Sequence, residues 1–296
     1  MAIYMVSGLI KALRLTAEQK PDVIHGNWIL PTGLIAAIAG RMLRVPVLNT
    51  AHGMDLRISE RQPVRALFDL AVKLSDKTII VSPSMKSRKI LQNSEVIPMG
   101  VDELFFEINP DRSKKTVIYT RSLEPVYDAE TLIRSVPIVT EVIPDARFII
   151  AGTGSQEAHL KAVASEIDTR GSITFLGHIL SDQIPELMKH ASVFVSPATA
   201  DGTSPALLEA IATGLTPVVT DIEANRSLVS NDKDGYLFKP GDAQDLAVKI
   251  IRALSGAIPP AALEQKSHTM KNSISWGSIA NGFITTYNHL VMENKK

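Results

Sequence analysis

The sequence predicts an α/β protein built from two doubly wound domains with parallel sheets. Three observations predict it. Short runs rich in β-branched residues alternate with longer amphipathic stretches along nearly the whole chain, as strand–helix–strand units do. A polar, Pro-containing stretch without apolar periodicity, 109–115, interrupts that alternation and reads as a linker. The part after it holds six strand-like runs, enough for a whole doubly wound domain. A chain of 296 residues has room for both domains.

In the first part, residues 2–14 read as a helix. Strands are expected at 22–25, 45–50 and 77–81, with a short one at 95–97. Helices are expected at 32–43, 63–74 and 83–91. That makes the first domain short of the roughly five or six strands such a domain uses. After the linker, strands are expected at 116–119, 146–151, 172–176, 193–196, 215–220 and 235–238, with helices in the gaps and another at 243–254. A last helix over about 276–292 carries Trp276, Ile279, Phe283, Tyr287 and Leu290 at helical spacing, an apolar stripe suited to docking. The expected division is 1–110, 111–275 and a terminal helix 276–296.

Composition narrows the partners. Hydrophobic residues are 45% and charged ones 21%, an ordinary globular balance. Lys plus Arg equals Asp plus Glu at 31 each, so no overall positive field favours nucleic acid, and none is expected as a partner. There is no Cys, which removes disulfides, thiolate catalysis and zinc–cysteine sites and fits a reducing cytosol. No apolar run reaches ~18 residues, so no spanning helix is expected. The early apolar stretch has no basic segment before it and no small-residue cleavage site after it, so no signal peptide is expected.

The densest motif is ADGTSPALLEAIATGLTPVVTD, where Asp201 and Glu209 lie eight residues apart. Ser204 suits an N-cap and Pro205 the first helical position. Gly214 stops the helix before the next strand. Free N–H groups at such a helix start favour an anion. The plainer reading is a capped core helix with Glu209 as an ordinary polar position.

This run resembles the Glu-x7-Glu signature of the family 4 glycosyltransferases of the GT-B fold, in the form whose first Glu is Asp. HGNWILPTGLIAAIAGRMLRVPVLNTAHGMDL, VIPMGVD, RSLEPVYDAETLIRS, FIIAGTGSQEAHL, ITFLGHI and NDKDGYLFKPGDAQDLA resemble further family segments, in the family's order, from about Asp22 to the last helix. The resemblance implies two Rossmann-like domains facing a cleft, with the terminal helix crossing back to the first. The family's opening strand and Gly-rich turn, normally ahead of the PDVIH strand, have no match in 1–21, so the first domain is expected to be incomplete. A separate chain supplying the missing part is one expectation that follows.

The resemblance implies a retaining transfer of a hexosyl group from a nucleotide-diphosphate sugar to a glycan or lipid-linked acceptor, compatible with peripheral membrane contact. Arg121 would pair with the donor diphosphate. Gly152 and Gly154 would close a strand where backbone can approach the donor. His178 would lie beside the base, although a lone His after a strand is commonly a surface residue. Gly202, Thr203 and Ser204 would offer backbone N–H groups. Glu209 would accept from the ribose diol, and Asp201 would hold hydroxyls of the transferred sugar. His52 would face that sugar across the cleft, with His25 and Asp55 as neighbours. A Lys common in the family a few residues after Arg121 is replaced by the stretch Val126-Tyr127-Asp128, leaving the site one cation short. Asp232-Lys233-Asp234 reads as a polar turn, and no metal or cofactor is expected. Two other readings are a non-catalytic nucleotide-sugar-binding fragment or split-enzyme subunit, and a sugar-nucleotide epimerase.

Overall fold

The computed structural model describes residues 2–168 and 170–294; residues 1, 169 and 295–296 of the expected domains lie outside them. The chain forms two compact units, one reaching Met99 and resuming at Gly277, the other Gly100–Trp276.

The first unit contains, in order, α1 (Ala2–Gln19), β1 (Ile24–Asn27), α2 (Leu34–Leu43), β2 (Val47–Ala51), α3 (Gly53–Ile58), α4 (Val64–Leu74), β3 (Lys77–Ile80) and β4 (Glu95–Val96). Its four strands pair in parallel in the order β1-β2-β3-β4, with Ile24 opposite Val47, Leu48 opposite Lys77 and Ile79 opposite Glu95. Every residue of β2 is buried, as suits a parallel strand covered on both faces. One face packs Ile29, Leu34, Phe68, Ile80 and Leu91 together. On the other, Leu48, Ile79 and Ile97 meet Ile279 and Leu290 of the terminal helix, with Phe283 and Tyr287 beside them.

The second unit follows with α5 (Leu104–Glu107), β5 (Thr116–Tyr119), α6 (Ala129–Val142), β6 (Arg147–Ala151), α7 (Glu157–Ile167), β7 (Ile173–Gly177), α8 (Ile184–Lys189), β8 (Val193–Ser196), α9 (Pro205–Thr213), β9 (Thr216–Thr220), α10 (Glu223–Arg226), β10 (Tyr236–Phe238), α11 (Ala243–Leu254) and α12 (Pro260–Ile274). Helix α13 (Trp276–Asn294) begins at its last residue and continues in the first unit. Six parallel strands pair in the order β10-β9-β8-β5-β6-β7. Tyr119, Phe148, Phe194, Tyr236 and Phe238 are fully buried on this sheet. From β5 the chain builds one way through β6 and β7, then resumes at β8 on the other flank. The strand order therefore reverses between β5 and β8, where open α/β sheets bind ligands at the carboxyl ends of their strands.

Several expectations are corrected. The stretch 109–115 is not a free linker: Asp111 N–H donates to Lys189 O at 2.9 Å, Arg112 reaches Gly214 O at 3.2 Å and Lys115 Nζ reaches Leu254 O at 2.6 Å. Residues 100–110 likewise belong to the second unit, where Val101 N–H donates to Ile274 O at 2.7 Å. Residues 83–91 form two 3₁₀ turns, Pro83–Ser87 and Lys89–Leu91, not one helix. They part at Arg88, whose extended backbone lets its guanidinium bond Asp69 and lie 4.0 Å over the Phe68 ring. Trp276 leaves the apolar stripe of α13 and covers Gly100, where an added Cβ would stand 2.5 Å from the indole. Helices α3, α5 and α12 have no counterpart among the elements expected from the sequence.

Candidate functional site

The switch point gathers part of the expected site. Tyr119, the last residue of β5, is buried, and its hydroxyl donates to Ser122 O at 3.0 Å, fixing the loop that carries Arg121. The β6–α7 loop clasps the same loop, with Leu123 N–H donating to Thr153 O and Gln156 N–H to Leu123 O, each at 2.9 Å. This clasp explains the glycines. A Cβ on Gly152, at φ 155°, would fall 2.1 Å from Arg121 O, and one on Gly154 2.4 Å from Leu123 O. Both let backbone meet backbone, so Gly154 serves packing between loops rather than an approach to a ligand.

Arg121 is almost buried, its side chain 8% exposed. It ion-pairs with Asp201, donates to Ser196 Oγ at 3.1 Å, and lies 4.1 Å over the ring of Tyr127. Asp201 also accepts from Gly202 N–H at 2.9 Å. The Asp201 carboxylate thus occupies the one cation and one of the backbone donors that the sequence assigns to phosphate and sugar. Thr199 N–H, donating to Val126 O at 2.9 Å, ties the β8–α9 loop to the loop bearing Tyr127.

The start of α9 forms as the motif predicts. Ser204 Oγ accepts from Leu207 N–H at 3.3 Å, Pro205 opens the helix, and Gly214 at φ 77° closes it. Glu209 lies one turn in, half-buried, and among the described residues its carboxylate has no hydrogen-bond or ion-pair partner. Burial pushes its carboxyl above the usual range. Thr203 is half-buried in the same loop. His178 is exposed, directly after β7. A cleft of about 170 Å³ brings Arg121, Gly152 and His178 together at the ends of β5, β6 and β7; Glu209 and Gly154 do not line it. A larger cleft, about 330 Å³, lies elsewhere in this unit, around Phe106, Arg112, Gly214 and Lys271.

In the first unit, His52 caps α3 and donates its N–H to the Asp55 carboxylate at 2.8 Å. Its Nε2–H donates to Asn27 Oδ1 at 2.7 Å, and its ring stacks on Trp28, centroids 5.3 Å apart. His25 bonds Thr50 Oγ1 at 2.8 Å and the Tyr287 hydroxyl at 2.7 Å. Burial lowers the pKa of both histidines, and His52 lowers that of His25 further, so both rings are neutral at pH 7. Burial outweighs the backbone hydrogen bonds to Asp55 and raises its pKa to about 6. Sequence reasoning missed Ser196, Trp28, Asn27 and the stacking of Tyr127. Ser196 alone had a usable signal, its place at the end of a strand beside the switch point.

Two loops crossing at the reversal of a doubly wound sheet, an arginine between them and a capped helix start beyond it define a nucleotide-binding class of α/β domain. The chain belongs to the glycosyl transferases group 1 family, whose model matches residues 100–270; the model described as Glycosyltransferase Family 4 matches 2–103. It is 28% identical over 275 residues to the UDP-Gal:alpha-D-GlcNAc-diphosphoundecaprenol alpha-1,3-galactosyltransferase of Escherichia coli, covering 83% of this chain and 70% of that one. An uncharacterized glycosyltransferase of Methanocaldococcus jannaschii, MJ1607, is 24% identical, covering 97% and 80%. HepE of Anabaena, solved in complex with UDP, shares the fold with a TM-score of 0.81 at 19% identity over 95% of this chain and 82% of that one. The protein is a glycosyltransferase of GT-B fold. Among the described residues, no helix is long and apolar enough to cross a membrane.

Proposed function

We propose that this glycosyltransferase moves a hexosyl group, with retention at the anomeric carbon, from a nucleotide-diphosphate sugar to a glycan or lipid-linked acceptor. The observation that carries the reading is Arg121 at the reversal of strand order, paired with Asp201 one loop ahead of the α9 start. A diphosphate offers the guanidinium more negative charge than one carboxylate does, so donor binding exchanges Asp201 for phosphate. Asp201, released, accepts from hydroxyls of the transferred sugar. Glu209, half-buried and unpaired, accepts from the ribose diol and regains the hydrogen bonds its burial lacks.

In the chemical step the bond from the anomeric carbon to the diphosphate oxygen breaks and a bond to the acceptor oxygen forms on the same face. The acceptor proton passes to the leaving diphosphate. Charge stabilisation by Arg121 and the helix start dominates. The lipid-linked part of the reading is supported by the E. coli relative, whose name specifies a diphosphoundecaprenol-linked acceptor. Thermal-shift measurements against UDP- and GDP-sugars test the donor assignment: the wild type should be stabilised by at least one. Arg121→Ala and Glu209→Ala should lose that response, and an unchanged response in both removes these assignments. The phosphate charge is met without a metal in this reading, so EDTA should leave turnover intact.

A further inference from the structure

Trp28 stands out in the first unit. It is a bulky residue at φ 73°, a region that side chains of this size rarely adopt. The conformation is held on both sides of the residue. Its N–H donates to Thr50 O at 3.0 Å, its carbonyl accepts from Gly33 N–H at 2.8 Å and from Thr32 Oγ1 at 3.0 Å. The fold over-determines a strained backbone at this point, and such strain clusters at ligand sites. The result is an indole that stays 40% exposed although it is among the largest apolar groups in the chain.

The indole is also supported from behind. His52 stacks on it at 30°, and His52 is itself fixed through Asn27 and Asp55. A flat, rigid aromatic face is therefore held at the carboxyl ends of β1 and β2, with the polar Asn27 side chain exposed beside it. The negative face of an aromatic ring attracts groups with positive edges. The C–H bonds on one face of a pyranose ring are such edges, while its hydroxyls seek donors and acceptors around the rim.

We propose that Trp28 is the stacking platform for a pyranose ring of the acceptor saccharide, with Asn27 bonding that ring's hydroxyls. The inference deepens the transferase reading and rests on it. It assigns saccharide selection to the first unit, whereas the phosphate-binding groups lie in the second.

The chain has two tryptophans, so Trp276→Phe leaves Trp28 as the sole indole reporter. In that variant, indole fluorescence should change saturably with methyl α-D-glucopyranoside, methyl α-D-galactopyranoside or N-acetylglucosamine. The most effective of the three then serves as acceptor in a transfer assay. Trp28→Ala should raise its KM by about tenfold or more, roughly the loss of 1.4 kcal/mol, with kcat little changed, and Trp28→Phe should recover most of the loss. Thermal stabilisation by the nucleotide sugar that stabilises the wild type should persist in both variants. No fluorescence response to any of the three sugars overturns the proposal. So does a fall in kcat at constant KM, which marks a prop for His52 rather than a platform. Absence of a thermal shift with both UDP- and GDP-sugars in the wild type would sink the donor reading instead, leaving a saccharide response at Trp28 to stand as binding alone.

Discussion

The polar clusters of the two units solve opposite electrostatic problems. Around Arg121 the second unit keeps full charges: a guanidinium and a carboxylate, 8% and 12% exposed, neutralise one another. Around His52 the first unit holds its two imidazoles neutral, because burial lowers both, while burial lifts the Asp55 carboxyl only to about 6. The difference teaches where each can act. A buried ion pair has a low-dielectric environment and a counter-charge that can be exchanged for a stronger one, which suits an incoming diphosphate. A neutral imidazole beside an indole has nothing to exchange and suits a ligand rich in hydroxyls.

The largest effect should come from breaking the ion pair on one side only. Arg121→Ala leaves Asp201 buried with only Gly202 N–H, and such uncompensated charges cost about 3–5 kcal/mol. The double variant Arg121→Met with Asp201→Leu should recover most of that loss in urea melts while remaining blind to donor. Equal destabilisation in both would mean that the pair is not the stabilising unit.

The next effect distinguishes the His52 cluster by its pH dependence. A carboxyl whose folded pKa rises from 3.8 to about 6 stabilises the fold at low pH, and that contribution is lost as pH climbs through 6, about 3 kcal/mol in all. His25 and His52, with lowered values, act with the other sign: their contribution is present above their ordinary 6.5 and is lost as pH falls below it. The two trends oppose one another as pH falls below about 6. Asp55→Asn removes the first, so urea melts of that variant should show stability falling steadily on acidification, more steeply than in the wild type. An identical slope in both proteins would show that Asp55 does not carry the shift.

How much of this was legible beforehand follows the reach of each interaction. The α9 start was readable because Ser204, Pro205 and Gly214 act within a few residues of themselves. Arg121 was readable as a position, the residue just past a buried strand. Its partner was not, because Asp201 lies eighty residues on and nothing local marks that pairing. The helix expected over 83–91 failed for the same reason: Arg88 reaches Asp69 and Ser59, and tertiary bonding overrode local preference. The exposure of Trp28 was equally hidden, since an indole inside an apolar run reads as core.

A smaller effect concerns Glu209. Gln in its place keeps the shape and removes a half-buried charge with no partner, so the free protein should be unchanged or stabilised by up to about 1 kcal/mol. Donor binding should weaken by about tenfold, because an amide accepts at one oxygen where the carboxylate accepts at two. A variant that loses stability and keeps affinity would place Glu209 in the fold rather than the site.

The smallest and sharpest change is at Tyr127. The family resemblance leads one to expect a lysine in this stretch, and its absence first reads as a deficit of charge. The structure gives the tyrosine a different task, since its ring lies 4.1 Å beneath the Arg121 guanidinium. A stacked guanidinium is held in plane, ready for bidentate contact with phosphate, and the contact itself is worth about 0.5–2 kcal/mol. Tyr127→Phe should therefore keep donor affinity, because the ring and not the hydroxyl does the holding. Tyr127→Leu should weaken donor binding by about three- to thirtyfold with little change in the melting of the free protein. If Phe and Leu weaken it equally, the hydroxyl rather than the stack is what the donor site uses, and calorimetry with the nucleotide sugar that stabilises the wild type, run on the three proteins, decides between them.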